Sequence, residues 1–143
     1  MLKGIPAAIS PDLMFTLMNM GHGDEIVLAD GNFPADSHAQ RLVRADGLSV
    51  PDVLAAILQF FPLDRYVDAA AFVMQPVAGD PPLPPIWKRF GELLDASEGQ
   101  RVELKEIERF AFYERAKQAY AVVATSETAL YANLILKKGV VVQ

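Results

Sequence analysis

The order of apolar and polar residues along the chain predicts helices and strands in alternation. Residues 10–12 (Ser-Pro-Asp) have the features of a helix start: a hydroxyl cap, a proline at the first helical position and an acid facing the helix dipole. Apolar residues then recur at helical spacing through Met20, and Gly21 suits the end of that helix. The stretch 25–29 is apolar on both faces after its glutamate, which indicates a central strand covered on each side.

The same signals mark the remaining elements. Ser49 to Asp52 can cap a second helix that Pro62 stops, and Gly79 to Pro85, with four prolines in seven residues, predicts a stiff exposed loop. Alternating helices and strands indicate an α/β fold in which helical layers cover a mostly parallel or mixed sheet. The other predicted elements are a short segment from Val43 to a turn at Asp46-Gly47, a strand at 69–77, a helix at 86–94, a polar break at 95–100, a helix at 109–118, a strand at 119–124 and a final strand at 134–136, with 140–142 as its candidate continuation.

Composition excludes several classes of function. The chain has 143 residues, which favours one domain spanning 1–143, and its net charge of −5 without a dense basic cluster argues against nucleic acid as a partner. It has no cysteine, which excludes disulfides, thiolate metal sites and a cysteine nucleophile. No apolar run reaches the roughly 18 residues of a membrane span, and the N-terminus lacks a signal-peptide core, so we expect a cytoplasmic protein without a membrane partner. The mean hydropathy of +0.19 indicates either a generous core or apolar surface buried between subunits.

The stretch from Met18 to Pro34 concentrates residues that can carry chemistry. His22 follows the first helix, and an imidazole with an ordinary pKa of about 6.5 can act as acid or base near neutrality. Asp30 ends the first strand, where folds of this class place chemistry. We therefore take both as candidate site residues. The structural alternatives are a polar helix cap for His22 and an Asx turn for Asp30, while Asp24 either orients the imidazole or caps turn amides.

Other kinds of site are poorly supported. A metal centre built from the two histidines with Asp24 and Asp30 matches no compact ligand spacing, so no metal is expected. The chain lacks the G-x-S-x-G of a serine nucleophile and both glycine-rich phosphate motifs, so nucleotide cofactors are not expected either.

The C-terminal half carries directional hydrogen-bonding groups. Arg109 and Tyr113 share one helix face, and Tyr131 and Asn133 point the same way if their segment is extended. Together with a histidine and an aspartate, and without a strong nucleophile, these groups suit a neutral polyhydroxylated ligand such as a sugar. The alternative is that the tyrosines, with Tyr120 among them, are core aromatics with satisfied hydroxyls.

Five blocks in order along nearly the whole chain resemble the fucose mutarotase and ribose pyranase family. The RFAFYER block resembles the fucose mutarotase branch in particular. The blocks are MLKGI at the N-terminus, MGHGDEIVLADGNFPA at 20–35, RADG at 44–47, RFAFYERAKQAYAVV at 109–123 and YANLILKKGV at 131–140.

The resemblance implies a three-layer α/β/α domain with a mixed, largely parallel sheet, assembled as pentameric rings or a decamer with sites at subunit contacts. It implies that His22 is the catalytic acid/base and that the sugar ligands are Asp30, Arg109 and the segment Tyr131, Ala132 and Asn133, where many relatives have glycine in place of the alanine. Tyr120 is our further candidate for a proton donor or relay.

The expected function is a cofactor-free isomerase that interconverts the α and β anomers of L-fucose or a related monosaccharide. Ribose pyranase activity, a non-catalytic sugar-binding role in uptake and a purely structural ring are the alternatives. One geometric difficulty is visible already. A straight strand over residues 24–30 spans roughly 20 Å, so His22 and Asp30 of one chain would hardly reach the same monosaccharide. Either the strand is shorter and the flanking loops fold back, or neighbouring subunits each contribute part of a site.

Overall fold

A computed structural model describes residues 1–143 as one six-stranded sheet with helices on both faces. Both predicted helix caps are present: the Ser10 and Ser49 hydroxyls accept hydrogen bonds from the amides of Leu13 and Asp52. The helix capped by Ser49 is the third of the chain and not the second, because the sequence did not predict the short helix at 35–38. The elements in chain order are α1 (Pro11–Asn19), β1 (Glu25–Ala29), α2 (Ala35–His38), β2 (Leu42–Ala45), α3 (Val50–Ile57), β3 (Ala71–Met74), α4 (Ile86–Glu98), β4 (Leu104–Ile107), α5 (Arg109–Gln118), β5 (Ala121–Thr125) and β6 (Leu134–Lys137).

The strand order β2-β5-β1-β6-β3-β4 confirms the predicted mixed, largely parallel sheet. β6 runs antiparallel to both of its neighbours, β1 and β3, and the other five strands share one direction. We call the edge where those five strands end the carboxyl edge and the edge where they begin the amino edge. Because β6 is reversed, it starts at the carboxyl edge and finishes at the amino edge.

Two apolar cores cover the two faces of the sheet, which confirms the three-layer arrangement. In β1, Ile26 and Leu28 join a core of 26 buried residues that includes side chains of α1, α3 and α4. Val27 and Ala29 point the other way into a core of 12 buried residues that includes Ala35 of α2 and Phe112 of α5. This is the alternation expected of a strand, and it explains why the β1 sequence is apolar at consecutive positions.

Several predicted boundaries were wrong. Strand β4 was missed because its residues Leu104–Ile107 lie at the sheet edge and are only partly buried, so the segment has no apolar run. Helix α4 continues through Glu98 and ends at Gly99 with φ 68°, so the polar break predicted at 95–100 is the solvated last turn of a helix. The strand predicted at 69–77 is limited to β3, and residues 140–142 do not continue β6. None of the five helices has the length and apolar character needed to cross a membrane.

At the amino edge, the segment 62–64 pairs closely with the chain that follows β6. The amide of Asp64 donates to the Lys137 carbonyl at 3.0 Å, and the amide of Gly139 donates to the Pro62 carbonyl at 2.8 Å. A Cβ at position 139 would overlap the backbone of Leu63, so only glycine fits this crossing. The crossing therefore fixes the backbone that carries Asp64.

We predict that Gly139→Ala lowers the free energy of unfolding by about 1–3 kcal/mol, because the added methyl group must push two backbones apart. Gly91→Ala is the matched control: it lies within α4, a Cβ there meets open space, and removing a helical glycine adds about 0.5–1 kcal/mol. Urea unfolding followed by circular dichroism measures both. Equal stability of the two variants would contradict the close crossing.

Candidate active site

A cavity of about 240 Å³ opens at the carboxyl edge of the sheet and brings together four of the predicted sugar ligands. Asp30 reaches it from the end of β1, Arg109 from the start of α5, and Tyr131 and Asn133 from the segment that leads into β6. Ligands commonly bind at this end of parallel strands. The other residues that line the cavity are Asn32, Phe33, Met74, Val77, Asp80, Tyr113 and Leu130.

Asp30 is buried and held by the loops around it. Its amide donates to Asn133 Oδ1 at 2.8 Å, and its Oδ1 accepts from the amide of Asn32 at 3.0 Å, so the Asx turn expected as an alternative is present inside the pocket. Burial raises the pKa of the Asp30 carboxyl above its ordinary value, against hydrogen bonds from the Asn32 and Phe33 amides and other neighbours that lower it. Asp30 thus both shapes the turn after β1 and lines the cavity.

Tyr131 has an unusual backbone conformation and is anchored at both ends. Its φ of 56° is the only positive value at a non-glycine residue. Trp87 Nε1 donates to its carbonyl at 2.9 Å, and its hydroxyl accepts from the amide of Val77 and donates to Asp80. Ala132, the next residue, is fully buried and does not line the cavity. Its hydrogen bond to Asp30 comes from the backbone, so its methyl group faces the core.

Arg109 supplies the positive charge of the cavity. It is the first residue of α5, it is exposed, and it forms no ion pair within the chain. Its guanidinium carbon lies 5.8 Å from the centre of the Tyr113 ring, which confirms that these two residues share a helix face. Tyr113 also packs on Phe33 at 5.6 Å between ring centres and lines the cavity, although only its i, i+4 relation to Arg109 pointed to it in the sequence.

His22 lies at the opposite, amino edge of the sheet. Its side chain is 47% exposed, and its Nε2 lies 3.2 Å from Oδ1 of the buried Asp64. The amide of Tyr66 also donates to that oxygen, and these hydrogen bonds lower the pKa of the Asp64 carboxyl. Asp64 is 42 residues away from His22 along the chain, and no spacing in the sequence signals this contact. Asp24, the candidate partner closer in sequence, instead caps the turn by accepting from the amide of Gly21 at 2.7 Å.

Tyr120 also lies at the amino edge, immediately before β5. The Arg41 guanidinium lies 4.0 Å above its ring and donates to its carbonyl oxygen at 3.2 Å. Tyr120 lines a polar groove of about 580 Å³ together with Asp24, Glu25 and Arg115, and it is absent from the carboxyl-edge cavity. The two predicted proton-transfer residues and the predicted sugar ligands are therefore at opposite edges of one chain.

The separation is set by β1 itself. Its five residues, at ~3.3 Å each, span about 16 Å between the turn that carries His22 and the end that carries Asp30. The flanking loops do not fold back to close that gap, since the cavity residues exclude His22. The expectation that the flanking loops bring His22 and Asp30 of one chain together is therefore wrong.

Comparisons with known proteins agree on one family. A family model described as the RbsD / FucU transport protein family matches residues 3–141. A mouse protein named fucose mutarotase is 54% identical over 144 residues, covering 96% of this chain and 94% of its own, and one from Histophilus somni (strain 2336) named L-fucose mutarotase is 50% identical over 140 residues, covering 98% and 97%. The crystal structure of the fucose mutarotase from Streptococcus pneumoniae in complex with L-fucose superposes with a TM-score of 0.93 at 51% identity, covering 99% of this chain and all of that one.

We predict that Asp30→Asn is more stable relative to the wild type at pH 7 than at pH 3.5. The folded state raises the pKa of Asp30 and so favours its neutral form, which means that the contribution of Asp30 to stability is present at low pH and is lost as the pH rises through the folded pKa. Asparagine stays neutral throughout. Urea unfolding of both proteins at the two pH values, at one protein concentration, measures the free energy of unfolding of the variant minus that of the wild type. A difference that stays constant or falls as the pH rises would contradict the prediction.

Proposed function

The chain belongs to the RbsD / FucU family, in its fucose mutarotase branch, and from that premise we propose that it interconverts the α and β anomers of L-fucose or a close relative. The observation that carries this proposal is the carboxyl-edge cavity, which gathers Asp30, Arg109, Tyr131 and Asn133. Carboxylate, guanidinium, phenol and amide groups recognise the hydroxyls of a neutral sugar. Relatives at about half identity are named fucose mutarotases, and one was solved with L-fucose.

The reaction is an isomerisation that needs proton transfer and no redox step. A base removes the proton from the anomeric hydroxyl while an acid protonates the ring oxygen, and the ring opens to the aldehyde. Rotation about the adjacent carbon–carbon bond followed by closure on the other face gives the second anomer. General acid–base groups typically contribute about 10²–10⁴-fold each to such steps.

His22 is the proposed proton-transfer group, and Asp64 is its orienting partner. The carboxylate of Asp64 has a lowered pKa and can only accept, so the imidazole nitrogen that faces it, Nε2, carries a proton. In the neutral ring, Nδ1 then holds the free lone pair. This fixed tautomer suits a base that removes one proton from a hydroxyl and returns it to another oxygen.

We propose further that each site is formed between two subunits, with His22 supplied by the neighbour of the chain that supplies the cavity. Exposed apolar side chains line the cavity, including Leu130 at 67% and Val77 at 42% exposure, and this favours a covering partner. A second apolar patch on α1 exposes Phe15 and Met18 and suits another contact between copies. A homo-oligomer with pentameric rings or a decamer is the assembly that the resemblance predicts.

The other proposed roles are divided between the carboxyl-edge cavity, which binds the sugar, and the amino edge, which transfers protons. Asp30, Arg109, Tyr131 and Asn133 are proposed to hold the sugar hydroxyls, and the backbone of Ala132 supports Asp30. Tyr120 lies on the same edge as His22, so it would approach a neighbour's sugar together with the imidazole, as a second donor or a relay. The single domain over 1–143 and the cytoplasmic location remain predictions.

We predict that His22→Ala lowers the rate of anomer exchange of L-fucose by about 10²–10⁴-fold, because it removes the proposed general acid–base group. Asp64→Asn should cost less, since it releases the imidazole without removing it. Exchange NMR on L-fucose measures both rates. The control is Asp46→Asn, which removes an exposed charge paired with Arg44 and should leave the rate unchanged. Exchange at the wild-type rate in His22→Ala would remove His22 from the mechanism.

We predict that two inactive variants restore each other when they are co-expressed. In mixed oligomers of His22→Ala and Arg109→Ala chains, about a quarter of the subunit contacts pair an intact imidazole with an intact cavity, so a comparable share of the exchange rate should return. Sites formed within one chain would give no recovery, and that result would overturn the shared site.

A panel of sugars separates the alternatives. Faster pyranose–furanose exchange of D-ribose than anomer exchange of L-fucose would favour a ribose pyranase. Fucose binding in calorimetry without faster exchange would favour a sugar-binding accessory, and absence of binding to any aldose would favour a structural role.

A further inference from the structure

The carboxyl-edge cavity contains a second carboxylate, Asp80, in the proline-rich loop between β3 and α4. We propose that Asp80 is a positioning residue for sugar binding: it holds the Tyr131 hydroxyl in one orientation, so that this wall of the cavity accepts hydrogen bonds from the sugar and donates none. The proposal rests on the proposed function. It adds a residue that lies outside the sugar ligands expected above.

The direction of each hydrogen bond follows from the groups involved. The amide of Val77 can only donate, so the Tyr131 oxygen accepts from it at 3.1 Å. The phenol has one proton, and Asp80 Oδ2 accepts it. The Tyr131 oxygen therefore has no proton left for a ligand.

Arg109 supplies hydrogen-bond donors, whereas Asp80 and Tyr131 supply acceptors. A guanidinium donates and never accepts, and this one has no partner in the chain. The hydrogen bond to Asp80 raises the pKa of the Tyr131 phenol, and the positive charge of Arg109 lowers it by less. A sugar hydroxyl both donates and accepts, so it can bridge a donor wall and an acceptor wall. A group that can only accept, such as an ether oxygen, would find no donor on the Asp80 side.

The loop is built to keep Asp80 in place. Asp80 precedes Pro81 and Pro82, which fix their own backbone angles and restrict the residue before them. On the other side of the contact, Trp87 of α4 donates to the Tyr131 carbonyl, so the tyrosine is held by its backbone as well as its hydroxyl. The conformation of Tyr131, with its positive φ, is thus stabilised by two segments that flank the same loop.

The test is a double-mutant cycle with Asp80→Asn, Tyr131→Phe and the double variant. Calorimetry measures the dissociation constant for L-fucose, and exchange NMR separates KM from kcat. We expect Asp80→Asn to weaken fucose binding about tenfold, the lower range for loss of a hydrogen bond to a charged group, with kcat changed much less. In the Tyr131→Phe background the same substitution should add little, because Asp80 acts through the missing hydroxyl. Asp46→Asn is the charge-matched control.

The hydrogen bond between Tyr131 and Asp80 can also be tested by spectroscopy in the absence of sugar. Ultraviolet titration, with Tyr131→Phe subtracted to isolate this phenol from the other three tyrosines, should show a lower pKa for Tyr131 in Asp80→Asn. Asp80→Glu keeps the charge and should restore part of the fucose affinity.

The outcomes are distinguishable. If the wild type neither binds fucose nor speeds its anomer exchange, the proposed function fails. If the pKa of Tyr131 is the same in Asp80→Asn as in the wild type, the contact between Asp80 and Tyr131 is overturned. If the wild type binds fucose and Asp80→Asn binds it equally well, Asp80 has no positioning role. Additive losses in the double variant would also overturn the proposal, because they would mean that Asp80 acts independently of Tyr131.

Discussion

The straight, buried strand β1 determines how the two functional parts of the chain relate to each other. It is hydrogen-bonded to β5 on one side and β6 on the other, so it cannot bend to bring its ends together. His22 precedes it and Asp30 follows it, so the length of the strand, about 16 Å, lies between them. Each end is well ordered by itself, the first by a buried carboxylate and the second by a set of turns. In the proposed reaction a monosaccharide needs both ends, so the proposal requires two copies of the chain at each site. The apolar rim of the cavity supports that proposal.

The one reversed strand explains why the cavity is so rich in polar groups. In an all-parallel sheet the segment before β6 would lie at the amino edge. Because β6 runs the other way, Tyr131 and Asn133 enter it beside the end of β1, where Leu28 pairs with Leu134. Asn133 can then accept the amide hydrogen of Asp30, and the neighbouring amides donate to its carboxyl. The carboxyl is tolerated in a buried position because these donors replace part of the water it loses.

Part of this site could be predicted from the sequence, because it depends on residues that are close together along the chain. The β1 sequence could only be a central strand, and a histidine before it and an aspartate after it had to lie at its two ends, which is why the distance problem was already visible in the sequence. The missed residues are those whose role depends on tertiary contacts. Asp64 touches His22 from 42 positions away, and Asp80 meets Tyr131 from 51 positions away, so no spacing along the chain signals either pair. Strand β4 was missed for a different reason: it lies at the sheet edge, where a strand needs few apolar residues.

The charges of the cavity also bear on which sugars fit. Asp30 and Asp80 face a single guanidinium, Arg109, so the cavity carries an excess of one negative charge when both carboxyls are ionised. A neutral monosaccharide brings no charge and is held by hydrogen bonds alone, whereas a sugar acid or a sugar phosphate would add an anion beside two carboxylates. Like charges brought together in a partly desolvated site cost several times more than in water. In the proposed sugar site, the carboxylates that order Tyr131 and the β1 turn would therefore also disfavour charged sugars, so the proposal assigns structural support and discrimination to one set of residues.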